Sequence, residues 1–361
     1  MYRRGWSKRR REYDKPKSEA VLIGRVKSAN SNIIKELFKA YYKVCGIVWV
    51  PSFIEKREFA FQMFDREAYV RHLSFSSREE LEDFVIKSIP RHIYYSTALY
   101  EVPDASDMES KGWLGSELMF DIDVDHIPGC MEVIDDSCIM KGYDLAVKLM
   151  KILKKDFNID SNLYFTGNRG FHVIASCEWC LSLGKDERRE IARYILLEGF
   201  DATMIVARRA KNIRPLPPSP DDPGPRWRIA EHLDNSDKID IVSLESAAAN
   251  ASIPIDFQVT QDPSRLARLL YSLNGKAGLQ VKPVKEGIFE VNTLSPFKGY
   301  IKVKALKSLG GSRVLGVTLS LREGEIVEIE AGIAIYLALK GYVELVEGEA
   351  SVGRGSCGRP I

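Results

Sequence analysis

The sequence is poor in glutamine, with four residues in 361, and holds only five histidines. Scarce glutamine beside abundant lysine, arginine and glutamate fits a heat-adapted source. No apolar stretch is long enough to cross a membrane as a helix. The first residues carry charge without an apolar segment, so no secretory signal is expected and the expected compartment is the cytoplasm, in association with the nucleoid. A net charge of +2 excludes a chain that is basic throughout. Cysteine is limited to positions 45, 130, 138, 177, 180 and 357. In a cytoplasmic protein of this size these are expected as thiols or metal ligands rather than disulfides. With 45% hydrophobic residues, the chain can bury the core of one large domain or two smaller ones.

Charge is concentrated at the start. Residues 1–17 hold eight Lys or Arg against Glu12 and Asp14. Residues 1–20 therefore read as a flexible basic arm, which either touches nucleic acid or is a solvated tail. Apolar spacing predicts a helix over 31–44 and strands over 58–64 and 69–75. A Ser77-x-x-Glu80 capping pattern opens a helix that Pro90 stops, and a strand follows over 92–100. Further helices are expected over 143–157, 186–197, 244–251, near 264–271 and near 331–340. Short strands are expected over 163–165 and 171–176. Six prolines between Arg214 and Arg228 mark an irregular excursion. The Gly- and Ser-rich residues 348–361 read as a disordered tail. Mixed strands and helices with hairpin-like joins give an α+β or mixed α/β fold.

Three segments carry chemistry. In Glu117-Leu-Met-Phe-Asp-Ile-Asp-Val-Asp125, Asp121, Asp123 and Asp125 alternate with Phe120, Ile122 and Val124. At the strand period the carboxylates share one face. They repel each other there, and a hard divalent cation relieves that repulsion. The same pattern also describes a polar edge strand. In Thr166-Gly-Asn-Arg-Gly-Phe-His172 the glycines let the backbone turn and present N–H groups to an anion. Arg169 and His172 offer further donors, and a plain hairpin turn is the alternative. Finally, Asp256 lies on an apolar expected strand and is followed by Arg265, Arg268 and Lys276. That group suits a triphosphate pocket or an exposed helix face.

Taken in order, these segments resemble the catalytic small subunit of the archaeal and eukaryotic DNA primase family. The family's Phe-Asp-x-Asp strand matches Phe120 to Asp123. Its Ser-Gly-x-Arg-Gly-x-His turn matches Thr166 to His172. Its third Asp matches Asp256, and its Ser-Leu-His-Gly-Lys-x-Gly-Leu loop matches Ser272 to Leu279. Arg57-Glu58-Phe59 and Arg71-His72-Leu73-Ser74-Phe75 resemble its N-terminal signatures. The match covers roughly residues 31–300.

The resemblance implies the primase catalytic fold over 21–347, with a partly helical insertion at about 181–252. It implies Mg²⁺ or Mn²⁺ held by Asp121, Asp123 and Asp256, and triphosphate bound by Thr166, Arg169, His172, Asn274 and Lys276. Arg57 and Arg71 would be further phosphate or template contacts, and Asp125 has no assigned role. The activity implied is template-directed synthesis of short primers from nucleoside triphosphates on single-stranded DNA, beside a large regulatory subunit in a heterodimer. Asn274 replaces a histidine of the pattern, which predicts weaker nucleotide binding that Asn274→His would restore. Asn168 stands where many members carry another arginine. Where the family places a zinc module, just after the acidic strand, only His126, Cys130 and Cys138 are candidate ligands, fewer than the four of a structural site. Cys177 and Cys180 have a ligand-like spacing but fall after His172. Two rival functions remain: a primase-related repair polymerase, and a non-catalytic paralogue that binds DNA or partners.

Overall fold

The computed structural model describes residues 16–23, 30–131, 134–175, 177–199, 201, 218–233 and 241–358. Residues 1–15 of the expected basic arm lie outside them, as does part of the proline-rich excursion. Three four-stranded sheets are each antiparallel between neighbours. The first orders Lys282–Val284, Asn162–Phe165, Gly170–Ala175 and Leu118–Asp123. The second orders Leu266–Arg268, His92–Ser96, Phe59–Gln62 and Tyr69–Leu73. The third orders Ser18–Ile23, Val343–Gly353, Lys298–Ala305 and Ile326–Glu330. The fold is thus mixed helix and sheet, as the pattern of elements suggests.

Local chemistry explains the element boundaries. The helix Arg78–Ser88 starts at Ser77, whose side chain accepts from the Glu80 N–H at 3.3 Å. The Glu80 carboxylate reaches back to the Ser76 N–H at 2.7 Å, so the reciprocal half of the box falls one residue earlier than the spacing implies. The helix Asp136–Phe157 runs 22 residues and starts well before the expected 143. Its first turn is masked in the pattern by Asp136, a buried carboxylate that accepts the N–H groups of Leu315 and Gly316 at 2.9 and 2.7 Å. The expected strand over 92–100 divides into His92–Ser96 and Ala98–Tyr100, which join different sheets. The expected insertion holds the helices Lys185–Leu196, Pro225–Ala230 and Ile241–Ala251. Phe120, Phe165 and Phe171 are fully buried in a core that continues through all three sheets.

Three expectations are corrected. Residues 348–358 of the expected disordered tail are ordered, because Val343–Gly353 pairs on both sides and a short 3₁₀ turn follows; residues 359–361 lie outside the described residues. Alternating Val343, Leu345, Ala350 and Val352 point into the core, a pattern that the glycines obscure. Residues 18–20, placed in the flexible arm, are the start of the strand that pairs with this end. The cysteines are not thiols or metal ligands: Cys45–Cys357, Cys130–Cys138 and Cys177–Cys180 are disulfides. With their sulfurs bonded to one another, the zinc candidates Cys130, Cys138, Cys177 and Cys180 offer no thiolate. The remaining candidate, His126, is exposed on its 3₁₀ turn.

Candidate active site

A cleft of about 300 Å³ opens between the first two sheets. Tyr69, Arg71 and Tyr94 line it from one sheet, and Met119, Asp121 and His172 from the other. Val259, Asp262, Ser264 and Arg265 close its end.

The acidic strand provides the floor. Leu118, Phe120 and Ile122 are buried, so period-two alternation sends Asp121 and Asp123 to the opposite face. The strand ends at Asp123, and Val124–His126 turns as a 3₁₀ helix capped by the Asp123 side chain, which accepts from the Asp125 N–H at 3.0 Å. Asp125 is therefore not on the shared strand face. Its carboxylate forms an ion pair with Arg169 instead.

The third carboxylate arrives by backbone pairing. The Asp256 N–H donates to the Asp121 carbonyl at 2.8 Å, although 135 positions separate them in the chain. Asp256 does not lie on a strand as expected. It is the N-cap of the helix Phe257–Gln261, and its side chain accepts from the Val259 N–H at 3.1 Å. The basic segment after it is likewise not helical, because Leu266–Arg268 pairs with His92–Ser96 as a strand. Tertiary pairing decided both cases over local periodicity.

The electrostatics follow from this convergence. Asp121 keeps 27% of its side-chain surface exposed and lines the cleft. Burial, then Asp123, then Asp256 push its carboxyl up to about 7, against the pull of Arg268 and Arg265. Opposite it in register stands His172, with Nε2 at 3.7 Å from the Asp121 carboxylate. Burial and the Arg268 charge push this imidazole down to about 3, so it is neutral near pH 7. Arg268 itself is held over the Tyr94 ring and against His92 Nδ1 at 2.8 Å. The donor set fits a hard divalent cation: three carboxylates, one of them raised by its like-charged neighbours. Among the described residues no group of three or more such side chains is already placed to hold a metal ion, and Asp123 and Asp256 each cap a helix.

The turn at 166–170 lies against the loop after Ser272. Gly170 faces Asp123 in register, and a Cβ there would sit 3.0 Å from the Ile122 carbonyl and 3.8 Å from the Asp121 carboxylate. Only glycine lets the turn approach so closely. Gly167 has a φ of +79°, and a Cβ on it would meet Asn274 at 2.9 Å.

Several expected contacts take other roles. The Thr166 hydroxyl closes its own turn on the Gly170 carbonyl at 3.0 Å. Arg169 is buried, paired with Asp125 and donating to the Cys130 carbonyl at 3.2 Å, so it braces the turn rather than facing a ligand. Arg57 is also buried, donating to the carbonyls of Ser52 and Ser96 at 2.9 and 2.8 Å and to the Glu117 carboxylate at 3.1 Å. A guanidinium so fully engaged is not available to phosphate or template. His172 and Arg71 do reach the cleft, and Lys276 is exposed at the rim of its loop.

Asn274 is fully buried. Its Nδ2 donates to the Thr166 carbonyl at 2.9 Å and its Oδ1 accepts from the Lys276 N–H at 2.9 Å. It ties the two loops together and does not face a ligand, contrary to the expectation from the motif. Asn274→His is accordingly expected to lose both bonds, lower the melting temperature and raise the nucleotide KM. Steady-state kinetics and a thermal melt check this; a lower KM with unchanged stability would restore the motif-based reading.

The cleft also contains residues that motif reasoning missed. Tyr69 and Tyr94 pack edge to face at 5.6 Å along its wall, and Asp262 and Ser264 help close it beside the expected Arg265. Strand alternation does place Tyr69 and Arg71 on one face, a signal present in the sequence. Nothing local marks Tyr94, which reaches the wall through sheet pairing.

Comparison with known proteins is consistent in direction. The family model described as DNA primase small subunit matches residues 120–286. A protein of Aeropyrum pernix named DNA primase small subunit PriS is 49% identical, over 91% of this chain and 97% of its own length. Proteins of the same name from Sulfolobus acidocaldarius and Staphylothermus marinus are 38% and 35% identical, over 86% and 91% of this chain and 94% and 99% of theirs. Among solved structures, the polymerase domain of Mycobacterium tuberculosis ligase D in complex with DNA aligns at 11% identity. It covers 71% of this chain and 80% of that one, with a TM-score of 0.39.

Proposed function

The chain belongs to the DNA primase small-subunit family, and from that premise we propose how its cleft makes a primer. It is a catalytic primase subunit, a nucleotidyltransferase that acts in DNA replication. The reading of its site is carried by one observation: Asp256 is hydrogen-bonded through its backbone to Asp121, beside Asp123 on the same strand.

Asp121, Asp123 and Asp256 would hold Mg²⁺ or Mn²⁺. Such ions lower the pKa of an attacking hydroxyl and neutralise a triphosphate and its leaving pyrophosphate. The protein's own residues then position the reactants. The burial that raises Asp121 also makes the carboxylates strong electrostatic partners for a bound cation. Neutral His172 can donate its ring N–H to a triphosphate oxygen without adding charge. Arg71 and Arg265 give the cleft positive walls, and the charge of Arg268 acts on Asp121 from nearby. Template binding would be electrostatic and salt-sensitive. The proposed partners are a primase large subunit, a single-stranded DNA template and nucleoside triphosphates. No helix among the described residues is long and apolar enough to cross a membrane.

The test is primer synthesis on single-stranded DNA by the chain together with its large subunit. Product is expected with Mg²⁺ or Mn²⁺ and is expected to vanish on chelation. A wild-type preparation that makes no product in either metal would sink the reading. Extension of existing primers without any initiation would favour the repair-polymerase alternative.

A further inference from the structure

We propose that Lys340, at the end of a helix far downstream of the acidic strand, forms part of the polyphosphate-binding wall and donates directly to a phosphate of the nucleoside triphosphate. The proposal deepens the primase reading and rests on it.

The fold delivers this residue to the site. The helix Ala331–Leu339 is buried over Ala331–Leu337, an apolar rod inside the core. It packs on the loop that carries Asn274 and Lys276: a Cβ at Gly278 would meet Ile335 at 2.8 Å and Leu339 at 3.3 Å. That contact sets where the helix ends. Lys340 is its C-cap, and its Nζ donates to the Asn168 side-chain oxygen at 2.5 Å. Asn168 lies at the centre of the 166–170 turn.

Three observations at this point favour an anion. The ammonium is half-buried and lies in the field of Arg169 and Lys276, with Asp123 as the opposing charge. Burial and those two cations pull its pKa down to about 8, so the folded chain gathers positive charge here at a cost that a phosphate would offset. Next, the backbone N–H groups of Gly167 and Asn168 donate to no acceptor among the described residues. One of them belongs to Asn168, whose side chain the ammonium bonds, and successive backbone N–H groups in a turn suit anions. Finally, the only hydrogen bond of the Lys340 ammonium to the described residues is to a neutral amide oxygen, with a ring face of Tyr336 at 5.6 Å. A lysine recruited for stability at a helix end would gain more from a carboxylate or the terminal carbonyls.

The geometry also separates the two roles of the turn. Arg169 holds it from below through Asp125 and the Cys130 carbonyl. Lys340 reaches the turn from the end of its helix and bonds only the Asn168 side chain, so it can move from Asn168 to a ligand without releasing the turn.

The experiment measures equilibrium binding of a non-hydrolysable nucleoside triphosphate and of the matching monophosphate. It uses wild type, Lys340→Ala, Lys340→Arg and Asn168→Ala, with steady-state KM and kcat for primer synthesis in parallel. Lys340→Ala is expected to weaken triphosphate binding by about tenfold to a hundredfold, with monophosphate binding unchanged and the loss falling on KM. Lys340→Arg is expected to recover most of it. Asn168→Ala, which frees the ammonium and keeps the backbone N–H, is expected to change triphosphate affinity far less than Lys340→Ala does. Equal losses for both nucleotides would overturn the proposal, as would an Asn168→Ala effect matching that of Lys340→Ala; each would make the lysine a loop brace only. Wild-type triphosphate affinity in Lys340→Ala would also overturn it. If the wild-type chain itself bound no triphosphate, the primase reading would fail instead.

Discussion

Asp256→Asn is expected to lower primer synthesis by about a thousandfold or more while the melting temperature stays close to wild type. The substitution is chosen because Asp256 has two roles. Its side chain caps the helix Phe257–Gln261, and its backbone holds the helix to Asp121. Asparagine is as good an N-cap as aspartate, and the backbone bond is indifferent to the side chain. What the change removes is one negative charge and one hard oxygen donor from a group of three. Asp256→Ala would remove the cap as well, at about 1 kcal/mol of stability, and would blur the two effects. Primer synthesis with Mn²⁺ and with Mg²⁺, a thermal melt and direct Mn²⁺ binding together check the prediction. Activity within tenfold of wild type would remove Asp256 from the reacting centre, and the family resemblance would lose its third carboxylate.

The second large effect concerns stability. Glu58→Gln is expected to destabilise the fold by about 3 to 5 kcal/mol, the usual cost of leaving one half of a buried ion pair. Glu58 and Lys111 are both fully buried, with 3.4 Å between charged atoms. The other oxygen of Glu58 accepts from Arg71 Nε at 2.9 Å and from the His72 N–H at 3.2 Å. Burial pushes this carboxyl up, yet the Arg71 bond and the charges of Arg71 and Lys111 together hold it below its ordinary 4.5. A carboxyl lowered in the folded state contributes stability above the unfolded pKa and loses it as pH falls through the folded one. The gap between wild type and Glu58→Gln is therefore expected to be widest near neutrality and to narrow below about pH 4. Urea denaturation at several pH values measures it. A constant gap would mean that shape, not charge, holds the cluster. Arg71 lines the cleft from the same carboxylate, so the variant is also expected to raise the nucleotide KM.

The acidic strand was the most legible part of the chain because two rules agreed there. Alternation placed Asp121 and Asp123 on one face, and the apolar partners buried themselves as the pattern required. The rule overreached by one step at Asp125, because periodicity carries no information about where a strand ends. The Asp123 cap ends it. Asp256 was found by motif spacing alone, and its local structure was misread, since a five-residue helix leaves too short a pattern to see. Arg57, Arg169 and Asn274 show a different limit. Sequence gives the kind of group but not which way it faces, and all three turned out to be buried braces around the site. The disulfides were missed for a plainer reason. Compartment was the guide, and a general rule about cytoplasmic thiols took precedence over Cys45 and Cys357, which no local pattern connects. Lys340 had no signal, because only the packing of its helix brings it to the turn.

The strand Ser18–Ile23 has its partner in Val343–Gly353, with Leu22 facing Glu349 and 80% exposed. During synthesis at about 5 to 20 residues per second, that strand waits roughly 15 to 65 seconds for its neighbour. Throughout that interval it is an unpaired edge that can recruit another chain. The third sheet can close only after Val343–Gly353 has left the ribosome. A cell making this subunit therefore has to shelter Ser18–Ile23 until Val343–Gly353 is made, and loss of the later strand would bare the earlier one and harm solubility far away in the sequence.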